Sequence, residues 1–159
     1  MSKISSIPKG ITGFGGQTPD PPRIDLATFR SDCYLAARKI SGRVVVNDEE
    51  FRPGVVRSFA IYVIDAPQAG HIAILMNIAC GILSFAKAPE ETQVLLNFLD
   101  VHELEAAFRE NRDYLFWSSA QLSKPATRDL YKDLDAEELK QIKYWNPNTL
   151  GDLVFNFWD

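Results

Sequence analysis

Cysteine, histidine and methionine are scarce in this chain, each occurring twice in 159 residues. Two thiols, Cys33 and Cys80, cannot build a disulfide framework. Two isolated histidines, His71 and His102, with two distant cysteines lack the ligand spacing of a zinc site, so no metal and no cofactor are expected. Long apolar runs are missing as well. No stretch approaches the ~18 apolar residues of a membrane span, and the N-terminus has no signal-peptide apolar segment. These absences predict a cytoplasmic protein without a membrane partner. A basic excess is also lacking, since the net charge is −4. That disfavours non-specific binding to nucleic acid and suits a basic protein partner.

Catalytic motifs are sparse too. "GFGG" (13–16) lacks the preceding strand and following helix of a phosphate loop. Ser118 and Ser119 have no nucleophile-elbow glycines around them and read as a helix cap. The acidic pairs Glu90-Glu91 and Glu137-Glu138, and the run Asp48 to Glu50, read as solvated turns and caps rather than facing carboxylates of a cleft. Cys33 falls on an apolar helix face. Cys80 would need a nearby base to act as a nucleophile. His71 and His102 are the candidates, and an active site around Cys80 and His71 is the enzymatic alternative.

Apolar residues make up 46% of the chain and charged residues 24%, ordinary values for a globular protein. The length suits one domain. Residues 1–22 are rich in Gly, Pro, Ser and Thr and predict an irregular arm, pinned by Ile4, Ile7, Ile11 and Phe14. Residues 23–159 predict a single α+β domain.

Asp25 suits an N-cap, and Leu26, Phe29, Cys33, Ala37 and Ile40 recur at helical spacing. "RVVV" predicts a short strand. "VVRSFAIYVI" (55–64) is apolar on both alternating faces, which predicts a central strand covered on both sides. "HIAILMN", "ILSFAKA" and "TQVLLNFL" continue an antiparallel meander, and "DYLFW" (113–117) is a last strand candidate. Asp100 with Glu103, and Asp135 with Glu138, have capping-box spacing. The fold expectation is an antiparallel sheet of about five strands, with one N-terminal helix and C-terminal helices packed on it.

Charge divides unevenly. Residues 1–60 carry nine basic and six acidic residues, and residues 61–159 carry eight and fifteen. The acidic stretch 90–113 includes Glu103, Glu105 and Glu110. It reads either as a solvated helix face or as a docking surface for a basic protein.

The C-terminal segment "YWNPNTLGDLVFNFWD" is strongly aromatic. Thr149 can cap a helix with Asp152 three residues on. Leu150, Leu153, Val154, Phe157 and Trp158 then line one helical face. A strand would instead align Leu153, Phe155 and Phe157. The helix is the preferred reading, with its aromatics packed in the core rather than offered to a partner. Asn146, Asn148, Asp152, Asn156 and Asp159 interleave with those aromatics, either as turn caps or as a small polar site.

Two stretches resemble a known group. The front "IPKGITGFG" (7–15) and the back, through Tyr144, Trp145, Pro147, Gly151, Asp152, Phe155, Asn156, Trp158 and Asp159, resemble small uncharacterised bacterial proteins. Those share an IPKGxTGFG-like arm and a YWxPxTxGDxxFNxWD-like C-terminus. The likeness covers roughly 25 of 159 residues and implies no catalytic residues. By analogy, small acidic proteins of this kind include immunity partners of bacterial toxins. The functional expectation is therefore a non-catalytic protein-binding module, as an immunity-type inhibitor of a basic toxin. Its expected contacts are Glu103, Glu105, Glu110, Asp152, Asn156 and Trp158.

Overall fold

The computed structural model describes residues 4–14 and 24–159. The "TPDPPR" segment and the second half of "GFGG" lie outside them.

Asp25 caps the first helix, α1 (Leu26–Lys39), by accepting from the Thr28 N–H at 2.7 Å. Strands β1 (Arg43–Val46), β2 (Phe59–Ala66), β3 (Gly70–Asn77), β4 (Ile82–Lys87) and β5 (Phe98–Leu99) form an antiparallel meander in chain order. The short β6 (Leu115–Phe116) joins β4 in parallel. It takes the Ile82–Leu83 half of that edge, while β5 takes the Phe85–Ala86 half. Helix α2 (His102–Arg109) lies between β5 and β6. Four short helices follow: α3 (Ser119–Leu122), α4 (Arg128–Tyr131), α5 (Ala136–Trp145) and α6 (Leu150–Val154).

The expected α+β architecture is present, and the alternation in β2 sorts two cores. Ala60, Tyr62 and Ile64 face one core, where Phe29, Cys33 and Ala37 of α1 meet Leu104 and Phe108 of α2. Phe59, Ile61 and Val63 face the other. There they meet Ile4, Ile7 and Ile11 of the N-terminal arm, Leu122 of α3, Ile142 of α5 and the α6 region. The sheet is thus covered on both sides, which is why its central strands carry apolar residues in both registers.

Several local expectations change. Residues 55–58 are not strand, and Val55 and Val56 are exposed. The β2–β3 ladder begins at the Phe59–Asn77 pair, so earlier residues have no strand opposite them. Of 92–99, only Phe98 and Leu99 pair, and Glu90 to Gln93 close a turn instead. Asp100 does not cap α2. Its carboxylate accepts from Ser119 N–H at 2.9 Å and Ser119 Oγ at 2.8 Å, and Val101 is the cap residue.

Glu138 departs furthest from its expected place. Asp135 caps α5 by accepting from the Glu138 N–H, but the Glu138 side chain does not close a capping box. It is fully buried rather than solvated. Its Oε1 accepts from Gly10 N–H at 2.7 Å, and Oε2 accepts from Thr12 N–H at 3.1 Å and Thr12 Oγ at 2.7 Å. A carboxylate holding three donors can be buried without a counter-ion against it.

The C-terminal helix is shorter than its periodicity implied. Thr149 and Asp152 form the expected capping box, but α6 ends at Val154. Asn156 takes the chain out of the helix. Its N–H donates to Ser58 Oγ at 2.9 Å and its carbonyl accepts from Ser58 N–H at 3.0 Å. Its side-chain amide donates to Thr12 O and Leu153 O. Just past the helix, Phe155 packs inward against Phe59 and Phe98, at ring separations of 5.8 and 5.6 Å. Phe155 and Trp158 are both buried, as the core reading of the tail expected.

Candidate functional site

A cleft of about 280 Å³ opens beside the C-terminal segment. One wall is the loop before β5. Arg52, in left-handed backbone at φ 42°, holds this loop by donating to Gln93 O at 2.7 Å and to Glu90 O. The same guanidinium lies 5.1 Å from the Phe157 ring centroid and 4.9 Å from that of Phe51. Burial and the charge of Arg57 lower the Arg52 pKa from its ordinary value. Held this way, the loop presents Val94 and Leu95, 62% and 58% exposed.

The opposite wall is the end of α5. Asn146 adopts left-handed backbone, φ 49°, and Pro147 follows, so the helix stops and Trp145 is left at the rim. Trp145 Nε1 donates to Gln141 Oε1 at 3.1 Å. Its ring is parallel to that of Trp158, with 6.1 Å between centroids, an offset stack. Asp152 lies in the same wall. Its Oδ2 accepts from Thr149 N–H, while no described residue donates to its Oδ1.

The expected contact residues separate into two groups. Asp152, Asn156 and Trp158 all line this cleft. The Asn156 amide is committed to internal hydrogen bonds, so it shapes the wall. Glu103, Glu105 and Glu110 lie on or just past α2, which packs on the other side of the sheet. Two of these acids already have cationic neighbours. Glu110 meets Lys39 Nζ at 2.8 Å, and Glu105 meets Arg109 Nε at 3.4 Å. Glu103 edges a separate hollow of about 210 Å³ with Ile40 and Gln68.

The sequence reading missed Val94, Leu95, Trp145 and Arg52. Trp145 carried a signal: an aromatic just before Asn-Pro, where a helix must end and its last side chain is left at an edge. The other three carried none, because their roles depend on the loop that Arg52 ties down.

No family model, curated protein or solved structure matches this chain.

His71 and Cys80 are not brought together. His71 sits at the start of β3 and Cys80 beyond its end, about 20 Å of strand apart. His71 is exposed, with Asp65 at 3.9 Å. Burial, helped by the charge of Glu138, pushes the Cys80 thiol up to about 11. A thiol so shifted is protonated at neutral pH and a poor nucleophile. Cys33 is fully buried, and that burial raises its thiol pKa well above the ordinary value as well. Among the described residues, no three of His, Cys, Asp and Glu are grouped to hold a metal ion, and no helix is long and apolar enough to cross a membrane.

Proposed function

We propose that this chain is a non-catalytic protein-binding module and that the cleft between Trp145 and Leu95 is its docking site. The observation that carries this is the parallel Trp145–Trp158 pair beside Asp152, faced by the exposed Val94 and Leu95. Tryptophans at the edge of an apolar hollow are favoured anchors of protein interfaces. A nearby carboxylate selects for a basic side chain, whose stem packs on the indoles while its head meets Asp152. The partner is therefore a basic protein that inserts an arginine or lysine.

An immunity-type inhibitor of a basic bacterial toxin is the finer form of this reading. The net charge of −4 and the resemblance of both chain ends to small bacterial proteins support it. The acidic side chains of α2 lie on the other layer and steer a basic partner at long range rather than contact it in the cleft.

The test is parallel affinity capture from source-cell lysate with wild-type and Trp145→Ala baits, after a salt wash, with melting curves compared. The expected result is one basic protein held by the wild type and lost from an equally folded variant. Equal retention by both would place the site elsewhere. No retained protein would remove the binding-module reading.

A further inference from the structure

Another cavity, of about 410 Å³, lies between α4 and α5. Its size falls within the ordinary range of small-molecule sites. Each helix lends it one face. Arg128, Tyr131 and Lys132 come from α4 and its C-terminal cap, spaced at i, i+3 and i+4. Leu139, Ile142, Lys143 and Asn146 continue the same pattern on α5. The buried Ile142, the half-buried Leu139 and the Tyr131 ring make an apolar floor, while the three cations are exposed around it.

The charge at this cavity is unlike that of the whole chain. The protein is acidic overall, and the described ion pairs employ Arg30, Lys39, Arg57, His71, Arg109 and Arg112. Arg128, Lys132 and Lys143 form no ion pair or hydrogen bond with a described side chain, and no carboxylate lines the cavity. Asp129 and Asp133 belong to the same segment but are not among the lining residues. Three like charges around one hollow repel each other, and an anion placed among them relieves that repulsion. Lys143 also complements the C-terminal dipole of α5, and Arg128 and Lys132 lie at the C-terminal turn of α4, whose four residues carry only a small dipole.

We propose that this cavity binds a small organic anion: an aromatic or short aliphatic body bearing a phosphate or carboxylate head. The body packs on Tyr131, Leu139 and Ile142, and the head is held by Arg128, Lys132 and Lys143. The site is distinct from the tryptophan cleft, although Asn146 and Pro147 wall both.

The experiment is an amide-resolved NMR titration of the full chain with phenyl phosphate, benzoate, inorganic phosphate and phenol. Saturable shifts at Tyr131, Leu139 and Lys143 are expected with phenyl phosphate or benzoate, weakening as salt is added. Whichever binds more tightly identifies the head group. Lys132→Ala/Lys143→Ala should raise its Kd about tenfold, a loss in keeping with two partly exposed charge contacts. Trp145→Ala should leave it unchanged, which separates this site from the cleft. Absence of saturable shifts with both organic anions, or phenol binding as tightly as phenyl phosphate, would overturn the proposal. Inorganic phosphate binding equally tightly would remove the apolar body from it. Both comparisons use the wild-type protein, so they stand even if the double variant folds poorly.

Discussion

Glu138 shows how one side chain joins distant segments. It sits in the first turn of α5, yet its carboxylate receives Gly10 and Thr12 from the N-terminal arm. Glu138→Ala would leave three donors without an acceptor and should cost about 3 kcal/mol. Urea unfolding measures the loss. Faster hydrogen exchange at the Gly10 and Thr12 amides would show that the arm has loosened. Unchanged stability would mean that water replaces the carboxylate without penalty. Gly151 gives a second residue-scale test with opposing terms. Alanine is the better helix former by about 1 kcal/mol. A Cβ there would, however, lie 2.3 Å from Cε2 of Phe98. That ring is wedged against Phe155, so overpacking outweighs propensity. Gly151→Ala is expected to destabilise by about 1–2 kcal/mol, and a raised melting temperature would refute this account.

At the scale of elements, short-range pairings were legible and long-range ones were not. Asp25 with Thr28, Ser118 with Gln121 and Thr149 with Asp152 each cap a helix as their spacing implies. These bonds close within three residues, so the chain itself supplies both partners. Asp100 and Glu138 have the same kind of spacing, but each found a stronger partner elsewhere, in Ser119 and in the arm. The α6 periodicity ran on through Trp158, but Asn156 broke it to bond with Ser58, 98 positions earlier. Of the cleft, Asp152, Asn156 and Trp158 were readable as an aromatic and polar cluster. Val94 and Leu95 were not, because they resembled strand residues until β4 divided its edge between β5 and β6.

For the whole molecule, burial of protonated groups predicts how stability depends on pH. Burial raises the pKa values of Cys33, Cys80, Tyr62 and Tyr114, and for Tyr114 a hydrogen bond to the Asp32 carboxylate adds to it. These groups are neutral when protonated, and the folded state holds their protons more tightly than the unfolded chain. Their contribution is therefore complete at neutral pH. For Cys80 it is lost as pH rises from 9.0, the ordinary thiol value, through about 11, and the other three groups lose theirs in the same direction, the tyrosines starting from 10.0. The urea midpoint should fall across that window, and Cys80→Ala should fall less steeply. A midpoint that stays level would refute the burial account.

By itself, the sequence determined the α+β class, the doubly covered central strand and the helix caps at Asp25, Ser118, Asp135 and Thr149. It also determined that no recognisable catalytic set is spelled out along the chain. These follow from periodicity and from partners a few residues apart, where closing the loop costs little entropy. Tertiary structure alone decided which core each strand face joins, where α6 stops and what Glu138 holds. It also decided that α5 has a tryptophan cleft on one side of its last turn and a basic cavity on the other. Each of those outcomes depends on groups brought together from distant parts of the chain. Local pattern carries no record of such pairings until the two cores have packed.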